Sequence, residues 1–146
     1  MKTLVSISDL TLSPLPGDQP CSAISRCGTS WTIPGIVLEG AWSFGSEVLV
    51  CTTEDIPYEE ALHFCLLGAD GKVLDQIRLG GIYQTGMFAL LKTGSATIRF
   101  RFFNHAAHEL TVSEQPVWRM PFFGDPKGVG RSVGFSKRLL VDRSET

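Results

Sequence analysis

Asp70-Gly71 stands between two apolar runs, residues 61–67 and 72–79, and constrains this chain more than any other feature. An Asp-Gly pair supplies the positive φ angles of a two-residue hairpin turn, so the two runs are expected to pair as antiparallel strands. With Asp70 and Gly71 at the centre of the turn, the register follows by reflection. Leu62 then faces Leu79 and Phe64 faces Ile77, while His63 faces Arg78 and Cys65 faces Gln76. One face is apolar and the other largely polar, and a slip of one residue would mix them.

Similar patterns recur on both sides. Residues 47–53 are β-branched and lie between Gly45 and an acidic segment containing Pro57. Residues 83–91 and 97–103 predict a second hairpin, turning through Lys92-Thr93-Gly94-Ser95. In its second strand Ile98, Phe100 and Phe102 alternate with Thr97, Arg99 and Arg101. Residues 104–108 read as the next turn and 109–113 as the returning strand. Residues 117–123 read as a short edge strand broken by Pro121, and 132–141 as a closing strand. The first third is less regular: 4–12 alternates loosely, and 13–20 packs three prolines and a glycine into a surface loop. A second, glycine-rich loop is expected at 124–130. No segment keeps a helical period beyond a single turn near residues 56–61.

These elements predict an all-β chain with seven to nine strands and little or no helix. The expected architecture is a single-domain antiparallel β-sandwich over residues 1–146, with a flattened β-barrel as the alternative. At 146 residues, two independent cores would each be marginal. Alternating βα units are absent, which argues against parallel nucleotide-binding folds.

Composition removes further classes. With 43% hydrophobic and 19% charged residues the chain is not a disordered linker. No uncharged apolar run approaches the ~20 residues of a spanning helix, so no membrane association is expected. The net charge of −2 argues against unspecific nucleic-acid binding. No secretory leader is recognisable after Met1-Lys2, so a soluble, cytoplasmic protein is expected, with Cys21, Cys27, Cys51 and Cys65 as free thiols. Their spacing lacks a zinc knuckle. Charge is unevenly ordered: residues 1–75 hold ten acids against three bases, whereas 76–146 hold ten bases against five acids.

Candidate chemistry is sparse. Gly124 to Ser132 lacks the spacing and the lysine of a phosphate loop. His105 and His108 lie in a turn, where a solvated role is expected and no third metal ligand is indicated. His63 and Cys65 project on the same side of one strand but do not reach each other. Nothing nearby in sequence orients the imidazole, and Arg78 opposite would lower its basicity. No Gly-x-Ser-x-Gly elbow occurs. Trp31, Trp42, Trp118, Tyr58 and Tyr83 would suit a sugar platform, but the apolar run between Trp31 and Trp42 favours burial in the core. No catalytic residue, metal or cofactor is therefore assigned.

The expectation by exclusion is a noncatalytic protein-binding module, such as an inhibitor, an immunity-type antitoxin or an assembly subunit. Carbohydrate or small-molecule binding is the alternative, and an enzyme whose residues converge only in the fold is the third reading. Glu54, Asp55, Glu59 and Glu60 surround Tyr58, which suits a docking loop with an aromatic anchor and acids that steer a basic partner. Met87, Phe88, Ala89 and Leu90, continuing to Leu91, are apolar on both faces. Such a strand is either covered on both sides or exposed and available for a homodimer.

Overall fold

The computed structural model describes residues 2–56, 61–80, 88–102, 107–118, 129–131 and 136–144. In chain order the strands are β1 (Leu4–Ser6), β2 (Thr11–Pro14), β3 (Cys21–Arg26), β4 (Thr29–Pro34), β5 (Val37–Phe44), β6 (Glu47–Thr53) and β7 (Ala61–Leu67). They continue as β8 (Val73–Gly80), β9 (Ala89–Thr93), β10 (Thr97–Arg101), β11 (Ala107–Trp118), β12 (Val129–Arg131) and β13 (Ser136–Ser144). The chain is all-β, as expected, in antiparallel sheets consistent with a sandwich; among the described residues no sheet closes into a barrel. Among the described residues there is no helix, and so none long and apolar enough to cross a membrane.

The sheets are six-stranded (β1-β5-β6-β7-β8-β12), four-stranded (β13-β11-β10-β9) and three-stranded (β2-β3-β4). Two hydrophobic cores relate them. Leu49, Leu62, Phe64, Leu66 and Ile77 of the six-stranded sheet pack with Ile98, Phe100, Leu110 and Leu139 of the four-stranded one. On the opposite face, Val48, Val50, Cys65 and Leu67 pack with Ile24, Trp31 and Ile33 of the three-stranded sheet. The six-stranded sheet is thus the middle layer of three, and all seven residues of β7 are buried. Each fully buried Leu or Phe contributes about 1.5–3 kcal/mol relative to exposure.

The β7–β8 register matches the expected one over Leu62 opposite Leu79, His63 opposite Arg78, Phe64 opposite Ile77 and Cys65 opposite Gln76. The turn does not: the Gly71 N–H donates to the Gly68 carbonyl, so Ala69 and Asp70 are its central residues, Gly71 alone is left-handed (φ 85), and a bulge between Leu66 and Leu67 absorbs the extra residue. Its polar face is not a solvent face on β7, because the three-stranded layer covers it. Among the described residues thirteen strands replace the expected seven to nine. The excess lies mainly in the first third, where β3 and β4 form a hairpin whose turn residues Cys27 (φ 51) and Gly28 (φ 82) are both left-handed. Trp31 and Trp42 are both buried, in different cores.

Other boundaries shift. Ser13 and Pro14 of the expected 13–20 loop pair with β3. Val129 and Gly130 of the expected 124–130 loop belong to β12, at the edge beside β8. Residues 109–118 are one strand, not two: β11 bulges between Val112 and Val117 and then continues along β13. His108 is not in a solvated turn. It lies buried in β11, stacked on Phe100 with ring centroids 5.5 Å apart. His105 and Pro121 lie outside the described residues.

Polar ties fix the layers. The Asp75 Oδ2 accepts from the backbone N–H groups of Arg138 and Leu139, each at 2.9 Å. The Arg138 guanidinium grips Glu47 with two bonds of 3.0 and 2.7 Å, and the Lys2 Nζ lies 3.3 Å from the same carboxylate. The Glu47–Arg138 bridge joins an acid of the first half of the chain to a base of the second. On the other face, the Trp31 Nε1 donates to the Gly68 carbonyl and the Thr52 hydroxyl to that of Pro34.

Candidate functional site

Two places carry more than structural routine, and the first is centred on His63. Residues 52, 63 and 78 share one row of the central sheet, since Thr52 pairs with His63 and His63 with Arg78. Beyond the end of β6 the chain turns at Asp55, whose φ is 58. The Glu54 carboxylate lies over the imidazole, its Oε2 2.5 Å from the His63 Nε2. The Arg78 Nε is 4.0 Å from the same oxygen. His63 is only 6% exposed. An orienting carboxylate on a histidine is one component of a general base, and it is the group that the sequence reading missed. Extending the β6–β7 pairing past Thr53 and Leu62 would have placed Glu54 near this end of β7.

The neighbouring nucleophile candidates are chemically quiet. Burial first, and the charge of Asp75 second, push the Cys65 thiol up to about 12, so it holds its proton at neutral pH. Burial likewise raises Cys51 well above the usual thiol range. The Thr52 hydroxyl is fully buried and donates its proton to the Pro34 carbonyl at 2.8 Å, while that of Thr53 bonds Glu39 at 2.7 Å. Among the described residues no group of three or more His, Cys, Asp or Glu side chains is arranged for a metal. All four cysteines are free, as expected; Cys27 is exposed and Cys21 half-buried.

The second place is β9. It is the outermost strand of the four-stranded sheet and pairs only with β10 among the described residues. All five of its residues are exposed, with Leu90 at 48% and Leu91 at 43%. Immediately before it, Phe88 packs against the core beside Phe64 and Phe100, with centroids 6.4 and 5.8 Å away. Among the described residues the strand is therefore anchored at its start and open along its length. Against β10, Arg99 faces Lys92 and Phe100 faces Leu90, so Leu91 is the extra residue of a bulge.

Of the expected docking residues, Glu54 turns inward to His63 and Asp55 is exposed. Tyr58, Glu59 and Glu60 lie outside the described residues, as does Met87 of the expected association strand. Phe88, Ala89 and Leu90 fall at the open edge just described. No family model, curated protein or solved structure matches the chain.

Proposed function

We propose that this chain is a noncatalytic protein-binding module that engages its partner through β9. The observation that carries this reading is the pair of leucines at 48% and 43% exposure on an outer strand whose preceding residue, Phe88, is fixed in the core. Side chains held on a rigid strand lose little entropy on binding, and each leucine offers apolar area for a partner to cover. Recognition is by side chains more than by added backbone pairing. The bulge at Leu91 and the charge of Lys92 both blunt the edge against indiscriminate strand addition. The protonated thiols and committed hydroxyls around His63 support the noncatalytic part of the reading.

The test compares the wild-type chain with Leu90→Lys/Leu91→Lys, both shown to be folded by circular dichroism. Each is immobilised and exposed to native extract, and captured proteins are quantified. A stoichiometric partner retained by the wild type and lost by the variant is the expected result. A partner retained equally by both removes β9 from the account.

A further inference from the structure

The outward face of the four-stranded sheet carries one row of four charges in direct cross-strand register. Lys92 of β9 pairs with Arg99 of β10, Arg99 with Glu109 of β11, and Glu109 with Asp142 of β13. The alternating inward residues Ile98, Phe100, Leu110 and Val141 are in the core, while Lys92, Glu109 and Asp142 are exposed and Arg99 is half-buried. Along the row the signs run plus, plus, minus, minus. Two of its three neighbouring pairs, Lys92 with Arg99 and Glu109 with Asp142, therefore set like charges opposite each other, an arrangement that destabilises an isolated sheet.

We infer that this face docks on the same face of a second copy, related by a twofold axis running along the strands between β10 and β11. Such an axis exchanges β9 with β13 and β10 with β11. Lys92 then lies over Asp142 of the second copy and Arg99 over its Glu109, each contact occurring twice, as an isologous interface requires. A twofold axis running across the strands would instead stack β9 on β9 and place cations on cations. The row is self-complementary in the first arrangement alone. In one flanking row Thr97 falls over Thr111; in the other Ala107 is buried, so the contact is confined to the charged row and the Thr97 side of it. This inference uses the sheet's outer face and does not depend on partner binding through Leu90 and Leu91.

Four strands about 4.8 Å apart and about five residues long present roughly 300 Å² of flat face, well short of the ~800 Å² per partner of a standard interface. The dimer is accordingly weak and held by charge, so salt sensitivity is its signature. Sedimentation velocity from about 1 µM to about 1 mM protein, at low and high salt, should show reversible dimerisation that salt weakens about tenfold. Lys92→Glu and Asp142→Lys each place like charges at two symmetric contacts and should weaken the dimer about tenfold or more. Mixed in equal amounts, the two variants regain opposite charges at both contacts, so heterodimers should form with near wild-type affinity. A wild-type chain that stays monomeric to about 1 mM at low salt overturns the inference. So does a dimer indifferent to salt, or two folded variants whose mixture associates no better than either alone. The salt series on the wild type decides the matter even if a variant does not fold.

Discussion

The Glu54 Oε2 and the His63 Nε2 are 2.5 Å apart at the end of the central sheet, in a place where the imidazole is almost wholly removed from water. The pair joins the segment leaving β6 to the strand that returns beside it. Removing only the acid strands a polar ring under the surface, and an unsatisfied buried group costs about 1–3 kcal/mol. Glu54→Ala should therefore lower unfolding free energy by about that amount in urea titrations, with His63→Phe/Glu54→Ala less destabilised than the sum of the single changes. A loss below about 0.5 kcal/mol for Glu54→Ala would show the contact to be incidental.

This pair also marks where sequence reasoning reaches its limit. The β7–β8 register was legible because side chains alternate with period two, and the bulge between Leu66 and Leu67 offsets a turn one residue longer than the expected one. Glu54 was not, because its place over His63 depends on β6–β7 pairing and on the left-handed turn at Asp55. The covering layer was equally hidden. β3 and β4 are rich in Ser and Thr, and only Ile24, Trp31 and Ile33 of the three-stranded sheet are wholly buried in the second core. That is too few apolar positions for a periodic signal. The apolar character of residues 88–91 was plain, yet whether such a strand is internal or outermost is set by which strands pair beside it. The structure places β9 at the edge.

The Glu47–Arg138 bridge predicts an acid-sensitive component of stability. Burial raises the Glu47 carboxyl, but the Arg138 guanidinium and then Lys2 outweigh it and hold the group below its ordinary value. The folded state thus binds this proton less tightly than the unfolded chain. Its stabilisation is complete above the ordinary carboxylate value of about 4.3 and is lost as pH falls through the lower folded value. Urea midpoints measured from pH 7 down to pH 3 should fall more steeply for the wild type than for Glu47→Gln. Parallel curves would count against the bridge as a source of acid sensitivity.

Gly35 fastens the three-stranded layer to the central sheet. Its φ is 90, its carbonyl accepts from the Ser22 hydroxyl at 2.7 Å, and an added Cβ would lie 2.3 Å from the Thr52 Oγ1. Gly35→Ala combines backbone strain with a clash in a packed seam and should cost about 2–4 kcal/mol. Gly28→Ala makes a useful control, because φ is 82 there but nothing lies within 4 Å. It should cost about 1 kcal/mol. Equal losses in thermal melts of the two variants would deny Gly35 its role at the seam.

Partner binding through β9 is open to hydrogen exchange on the captured complex. Amides of Ala89–Thr93 face only β10 within the described fold and should exchange readily in the isolated chain, because an outer strand opens locally at little cost. Bound partner should slow exchange within Ala89–Thr93 by about tenfold or more, with β6 and β7 unchanged because they are already protected by burial on both faces. Protection that appears elsewhere on the surface, with Ala89–Thr93 exchanging as fast in the complex as alone, would contradict it.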